Sequence, residues 1–437
     1  MVRFNGLRAY SKTLGVYMLT LGMSFLGGSA AFAGDCTTGC TTSGGPNCCE
    51  CEQVFKNAGC KLTDDLARLT AECCNSAPSC VEESCVEDPC VGDGCTDSCP
   101  TCMWNTGDPW KLVNHDTLNI GGFTSFGYVS KPDFTFNQPG DQSKLNLNQF
   151  YLYAEKVADG SKGLDWGFRF DAVYGTDGSA TQAYGNRPGT WDYQNGYDHG
   201  IYAFALPQAY AEIASGDLSV KIGHFYTLLG YEVVPATGNF FMTHAFTMYN
   251  SEAFTHTGAL ATYAVNDNLT VYGGWTAGWD TGFDRYLGGS SFLGGFTYGL
   301  TDSLSLTYIT TFGDLGWYDQ GYTHSIVATY DATDKLQFVG QSDLVTRADG
   351  VQNYGTNGYA FYTINDCVKL GSNFEWWQNG NDDDVYMTRL GVNIKPHANV
   401  TIRPEWRYQW NYGAPNGVVA VDDDEASIFG IDTVITF

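Results

Sequence analysis

From about Gly107 to Phe437 the chain keeps one rhythm: short segments in which apolar or aromatic side chains alternate with small, polar or charged ones. Leu269–Trp279 places Leu269, Val271, Trp275 and Trp279 on one face, and Leu304–Phe312 does the same with Leu304, Leu306, Tyr308 and Phe312. Val400–Trp410 sets Val400, Ile402, Trp406, Tyr408 and Trp410 against Thr401, Arg403, Glu405, Arg407 and Gln409. Period two is strand, because successive side chains point to opposite faces. The polar face carries charge and glycine instead of a second core. A secreted sandwich or propeller would need that face apolar, and no blade-length repeat is visible.

The connections alternate too. Short turns rich in Asp, Asn, Gly and Ser (158–163, 215–217, 266–268, 301–303, 332–335, 396–399) are interleaved with longer polar stretches (176–204, 227–257, 411–425). Counting both kinds gives about 16 strands, with a range of 14–18, and both strand termini on the short-turn side. The expected fold is all-β: a closed antiparallel transmembrane β-barrel over residues 104–437. A sheet in lipid must pair every backbone group, so it must close. Its outer face must be apolar and rimmed with aromatics, and its lumen polar. That accounts for 65 aromatic residues (26 Phe, 28 Tyr, 11 Trp) in a chain of only 16% charged residues and slightly negative mean hydropathy.

Residues 1–33 have a different pattern. Arg3, Arg8 and Lys12 precede an apolar run from Leu14 to Phe25, which ends in Ala31-Phe-Ala33. This is the plan of a secretory signal peptide, and the run is short for a spanning helix. Removing its three bases takes the formal net charge from −26 to −29. So acidic a chain is not built for nucleic acid, which needs clustered Lys and Arg.

Residues 34–103 hold Cys36, Cys40, Cys48, Cys49, Cys51, Cys60, Cys73, Cys74, Cys80, Cys85, Cys90, Cys95, Cys99 and Cys102; of 15 cysteines only Cys367 lies elsewhere. In an exported chain this density reads as a disulfide framework for a small acidic module, of undetermined connectivity. Leu62, Leu66 and Leu69 recur at helical spacing, with Thr63-Asp-Asp65 as an N-terminal signal, and mark a short helix between Cys51 and Cys73. The helix either folds onto its own disulfides or serves docking. Redox or zinc chemistry at Cys99-Pro-Thr-Cys102 and Cys48-Cys-Glu-Cys51 is the rival reading, with no histidine between residues 34 and 103 to support it.

Four stretches, 146–155, 206–213, 220–232 and 255–263, are similar to the OmpL-like β-barrel porin family of bacterial outer membranes. The phrase Ile222-Gly-His-Phe225 also resembles phosphate-selective porins, but anion selectors need basic rings. The resemblance covers the barrel and leaves out the Cys-rich segment. It implies passive diffusion of small hydrophilic solutes or ions, contact with outer-membrane lipid, and a homotrimer. Phe437, in phase with Ile435, Ile431 and Phe429, resembles the terminal signal read by the barrel-assembly machinery.

Strand parity nominates lumen-facing charges: Arg169, Asp171, Lys221, Asp343, Lys369, Glu375, Arg389, Arg403, Glu405 and Arg407. Mixed charges in a lumen screen ions; the plainer reading is that they brace the wall. The 227–257 loop carries Glu232, His244, Glu252 and His256 and is the constriction candidate if it folds inward, a lid if outward. Two acidic runs, with Asp382, Asp383 and Asp384 in one and Asp422, Asp423 and Asp424 in the other, offer hard-cation ligands but lack EF-hand spacing. No G-x-S-x-G or H-E-x-x-H occurs, so neither an enzyme nor a cofactor is expected. From Gly107 onward 36 acids face 16 bases, which predicts mild cation preference. Two rival functions stand beside the porin. One is a structural outer-membrane protein joined to a cell-wall layer through periplasmic residues 34–103; the other is a gated, substrate-specific channel.

Overall fold

The computed structural model describes residues 106–437 except 114, 116, 139, 285, 381–383 and 413–424. The fourteen N-terminal cysteines, the signal sequence and the short Leu-patterned helix therefore lie outside the described residues, as do Asp382, Asp383, Asp422, Asp423 and Asp424.

Sixteen strands form one closed barrel: β1 (Asn119–Val129), β2 (Leu145–Lys156), β3 (Asp165–Gly175), β4 (Ala203–Ser215), β5 (Leu218–Tyr226), β6 (Thr255–Asn266), β7 (Leu269–Trp279) and β8 (Ser290–Thr301) come first. The second half comprises β9 (Leu304–Asp314), β10 (Gln320–Thr333), β11 (Leu336–Arg347), β12 (Gln352–Asn365), β13 (Val368–Gln378), β14 (Asp384–His397), β15 (Val400–Tyr412) and β16 (Glu425–Thr436). Each pairs antiparallel with its sequence neighbours, and β1 meets β16 from Phe123↔Thr436 to Val129↔Gly430. Two short helices, α1 (Gly178–Thr181) and α2 (Phe246–Ser251), sit in connections. The strands run 9 to 14 residues, the length a tilted strand needs to cross a hydrocarbon layer.

Alternation sorts the faces. Phe126, Phe150, Phe170, Ile222, Trp275, Phe312, Phe374, Trp406 and Phe429 stand exposed on the outside, where lipid replaces water. Closure leaves no sheet edge, so the outward apolar row costs no unpaired backbone. One rim is made of two-residue turns, among them Gly216-Asp217, Asp302-Ser303, Asp334-Lys335 and Ala398-Asn399, and of the longer β2–β3 connection 157–164. The opposite rim carries the long connections, including 176–202 and 227–254. Phe437 and Thr106, the first described residue, lie at the turn rim: Gly122 N–H donates to Phe437 O at 2.9 Å, and Ala398 N–H to Thr106 O at 2.9 Å. Phe437 points outward beside Phe150, ring centroids 6.3 Å apart.

One expected face is corrected. Register breaks between His256 and Gly258 against β7, so Trp275 is 56% exposed outside while Trp279, expected beside it, turns inward and is 1% exposed. An extra residue in a strand reverses the inward–outward phase of every residue beyond it.

The lumen is occupied. Segment 227–254 runs inside the barrel, and every buried apolar cluster contains part of it. Leu229 and Ala253 join Phe225, Leu260, Leu293 and Ile309 on the β5–β9 wall. Val234, Phe246, Met248 and Phe254 pack on Trp377, Val385 and Met387; Phe241 meets Val339, Tyr359 and Phe361; Met242 meets Val129 and Ile428. Burying each such side chain stabilises by about 1.5–3 kcal/mol, so the loop is held as a core element.

Candidate functional site: the lumen and its inward loop

Residues 236–245 of the loop have little regular structure, so their backbone N–H and C=O groups need partners from elsewhere. Strands β13, β14 and β15 supply them. Glu405 accepts from Met242 N–H at 2.7 Å and from both the amide and the hydroxyl of Thr243. Glu375 accepts from the amides of Phe246 (2.9 Å) and Thr247 (2.7 Å) and from Thr247 Oγ1 (2.7 Å). Those two amides open α2, where a helix has unsatisfied donors, and a carboxylate is the complementary group.

Arginines take the carbonyls. Arg403 Nη1 donates to Ala236 O and Asn239 O, both at 2.8 Å, while its Nε donates to Asp432 Oδ1 at 2.8 Å. Arg407 Nη1 donates to His244 O at 2.6 Å. Arg389, with 0% side-chain exposure, donates to Thr243 O, pairs with Glu232 and holds Asn373 Oδ1 at 2.9 Å. Its guanidinium lies 4.5 Å over the Phe241 ring. A buried charge needs this full set of partners, because desolvation otherwise outweighs attraction.

The four loop candidates fall at different depths. Glu232 is buried and accepts from Ala245 N–H (2.8 Å), Tyr359 OH (3.0 Å) and Arg389. His244 is buried beside Phe136, ring centroids 4.4 Å apart, and burial lowers its pKa to about 4, so it is neutral. Glu252 accepts from Gln341 Nε2 at 2.6 Å; burial, then the neighbouring Asp343, pushes its carboxyl well above the usual range. His256 lies on β6 and ties the start of the loop, its Nε2 being 3.0 Å from Thr227 Oγ1.

The remaining parity candidates lie elsewhere on the inner wall. Arg169 bridges Asp171, at 2.7 Å, and Glu155 on the β2–β3 wall, and Gln208 donates to Asp171 at 2.7 Å. Lys221 stands with its Nζ 4.9 Å from the Tyr210 ring, and Lys369 with its Nζ 4.8 Å from that of Phe361. Asp343 accepts from Ser325 Oγ at 2.7 Å. The structure thus gathers Glu375, Arg389, Arg403, Glu405 and Arg407 under the loop, away from water. Asp384 accepts from Trp376 Nε1 at 2.8 Å and from Gln378 Nε2 at 3.2 Å. Among the described residues no group of three or more His, Cys, Asp or Glu is placed to hold a metal. Cys367, in the β12–β13 turn, is disulfide-bonded.

Sequence reasoning passed over the neutral members of the grip: Gln149, Gln341, Asn357, Tyr359 and Asn373. Gln149 reaches from β2 to Ala236 N–H (3.1 Å) and Val234 O (2.8 Å). Their inward phase was there to be read; only charge drew notice.

Cavities remain around the loop among the described residues. One of 770 Å³ opens at the long-loop rim, one of 290 Å³ lies between the loop and Arg169, and one of 380 Å³ opens at the turn rim beside Lys369 and Arg403. The first two share Glu252 and Phe254, and the last two share Thr237.

A barrel of 16 antiparallel strands with a loop folded into its lumen is channel architecture. The beta-barrel porin-2, OmpL-like family matches residues 117–437. The chain belongs to this family. The expected OmpL-like resemblance and fold class therefore hold, and the family's members are outer-membrane β-barrel channels. An anion-selective porin from Comamonas acidovorans is similar with a TM-score of 0.52 at 13% identity, over 74% of this chain and 99% of that one. The outer membrane channel DcaP of Acinetobacter baumannii is similar with a TM-score of 0.51 at 9% identity, over 73% and 97%. Identities this low speak for the fold alone. No functionally curated protein matches the sequence.

Proposed function

We propose that this chain is an outer-membrane porin that passes small hydrophilic solutes or ions by passive diffusion, with loop 227–254 as its constriction. The observation that carries this reading is the set of cavities around the inward loop, one at each rim and one between them, with Glu252, Phe254 and Thr237 each lining two of them. Arg169 on the wall lines the middle cavity together with the loop's Glu232 and Glu252, and the polar groups that line a lumen govern what passes it. A mild cation preference belongs to the same reading, supported by 36 acids against 16 bases from Gly107 onward. Bilayer recordings of the purified protein in a salt gradient test it. Conductance with a cation-directed reversal potential is expected, and an anion-directed potential would remove the selectivity.

A gated, substrate-specific channel is favoured by one feature: the loop is gripped by buried charges throughout its middle. Saturable flux of a single solute into liposomes would support it. The other expectations travel with the porin reading: signal cleavage after residue 33, a periplasmic Cys-rich segment, lipid and assembly-machinery contacts, a trimer, and any cell-wall link.

A further inference from the structure

The 770 Å³ cavity at the long-loop rim has a lining that the ionic account of the lumen does not use. Five of its aromatic rings form a continuous ladder. Tyr193 and Tyr184, from the β3–β4 connection, are 5.7 Å apart, and Tyr184 lies 5.7 Å from Trp317 of the β9–β10 connection. Trp317 meets Tyr318 at 5.4 Å, and Tyr318 stacks on Trp279 at 4.6 Å. Tyr193 and Tyr184 are half-buried, Trp317 is 41% exposed and Trp279, at the other end, is 1% exposed. The ladder ends where Phe254 and Glu252 lead into the middle cavity.

The polar groups beside the rings are mostly neutral hydrogen-bonding ones; the Arg347 guanidinium, 5.7 Å from the Tyr318 ring, is the exception among the bases. Asn353 Nδ2 donates to Tyr318 OH at 3.0 Å, and Asn250 and Asn379 face the same space. Among the described lining residues there is no Lys, Arg or His. The two acids present are Glu252 and Asp280. Burial holds Glu252 well above the usual carboxylate range, whereas Asp280, raised to about 6, stays mostly ionised at neutral pH. Asp280 also spends an oxygen on Phe254 N–H at 2.8 Å and Thr255 N–H at 2.9 Å.

Flat apolar faces edged by amides, with little net charge, suit a solute that has an apolar ring face and a hydroxyl-bearing edge. Ligand sites commonly combine an aromatic lining with a few placed polar groups in about 300–1,000 Å³. We infer that this vestibule binds uncharged saccharides and that the Tyr193–Tyr184–Trp317–Tyr318–Trp279 ladder guides them to the constriction. The inference rests on the channel reading above and names its solute class.

The test uses the full-length protein in planar bilayers in potassium chloride, with maltotriose added on the long-loop side. Concentration-dependent block of the current is expected. Trp317→Ala and Tyr184→Ala should each raise the half-blocking concentration by about tenfold, the loss expected for one ring contact, while Trp317→Phe keeps most of the affinity. A conducting channel that maltotriose does not block, or blocks equally in the alanine variants, overturns the inference and leaves the porin standing. Block by tetraethylammonium without block by maltotriose assigns the ladder to cations and overturns it too. Absence of any conductance removes the channel reading itself, and the inference with it.

Discussion

Two walls of one barrel hold the same loop by different physics. The β5–β9 wall meets the loop's ends with apolar side chains: Phe225, Leu260, Leu293 and Ile309 close on Leu229 and Ala253. The β13–β15 wall meets its middle with Glu375, Arg389, Arg403, Glu405 and Arg407, each bonded to the loop's backbone. The cause of the difference is the loop itself. Its ends bring side chains, which burial satisfies without regard to direction. Its middle, besides Phe241, Met242, Phe246 and Met248, brings bare amides and carbonyls, which only directed donors and acceptors satisfy. One wall should therefore tolerate repacking, and the other should fail when a single partner is lost.

The largest effect should come from breaking the directed wall. Arg389→Ala leaves Glu232 buried without its cation, and losing one partner of such a pair costs about 3–5 kcal/mol. The expected outcome is a lower unfolding temperature, read as conversion of the folded band on an unheated gel, together with larger and noisier single-channel conductance. A silent substitution would show that Arg389 does not hold the loop.

Next comes the apolar wall. Leu293→Ala should cost about 2–4 kcal/mol by opening a cavity. Unfolding should shift while conductance and selectivity stay at their starting values, because the loop's polar ties are untouched. Equal conductance changes in both variants would erase the distinction between the walls.

A smaller effect sharpens it. Thr247→Val removes one hydroxyl donor from Glu375 and leaves the two amides in place. About 0.5–1.5 kcal/mol is expected, with brief openings added to an otherwise normal current trace.

The smallest effect concerns the long-loop rim. Burial raises Asp177 to about 7 and Asp192 and Asp280 to about 6, and all three lie in connections. An acid whose folded pKa lies above its unfolded value binds more protons folded than unfolded between the two. Rim stability is then greatest near pH 4 and falls as pH rises towards 7. Hydrogen exchange of residues 176–202, corrected for intrinsic rates, should be slower at pH 5 than at pH 8. Faster exchange at pH 5 would contradict this.

The sequence carried the barrel openly, because lipid outside and water inside force a two-residue alternation that survives sixteen strands. It carried the inward phase of Arg389 and Glu405 for the same reason. It did not carry the loop's direction, since an apolar stretch such as Phe240-Phe-Met242 suits a lumen and a surface lid alike. Nor did it show that the lumen charges bind backbone instead of facing water, which depends on contacts between Glu405 and Met242, 163 residues apart. Trp279 was misplaced because a bulge leaves no local mark in a glycine-rich strand.

The central claim is that the loop lies inside the lumen against β12–β15. Thr247 Oγ1 and Asn357 Nδ2 are 3.0 Å apart in that arrangement. In a Thr247→Cys, Asn357→Cys double variant, mild oxidation followed by mass spectrometry of the cross-linked peptides should find the 247–357 bridge, with single-channel conductance little changed. Two reduced thiols that instead react freely with a water-soluble maleimide, and no bridge, would place the loop outside the lumen and contradict the account.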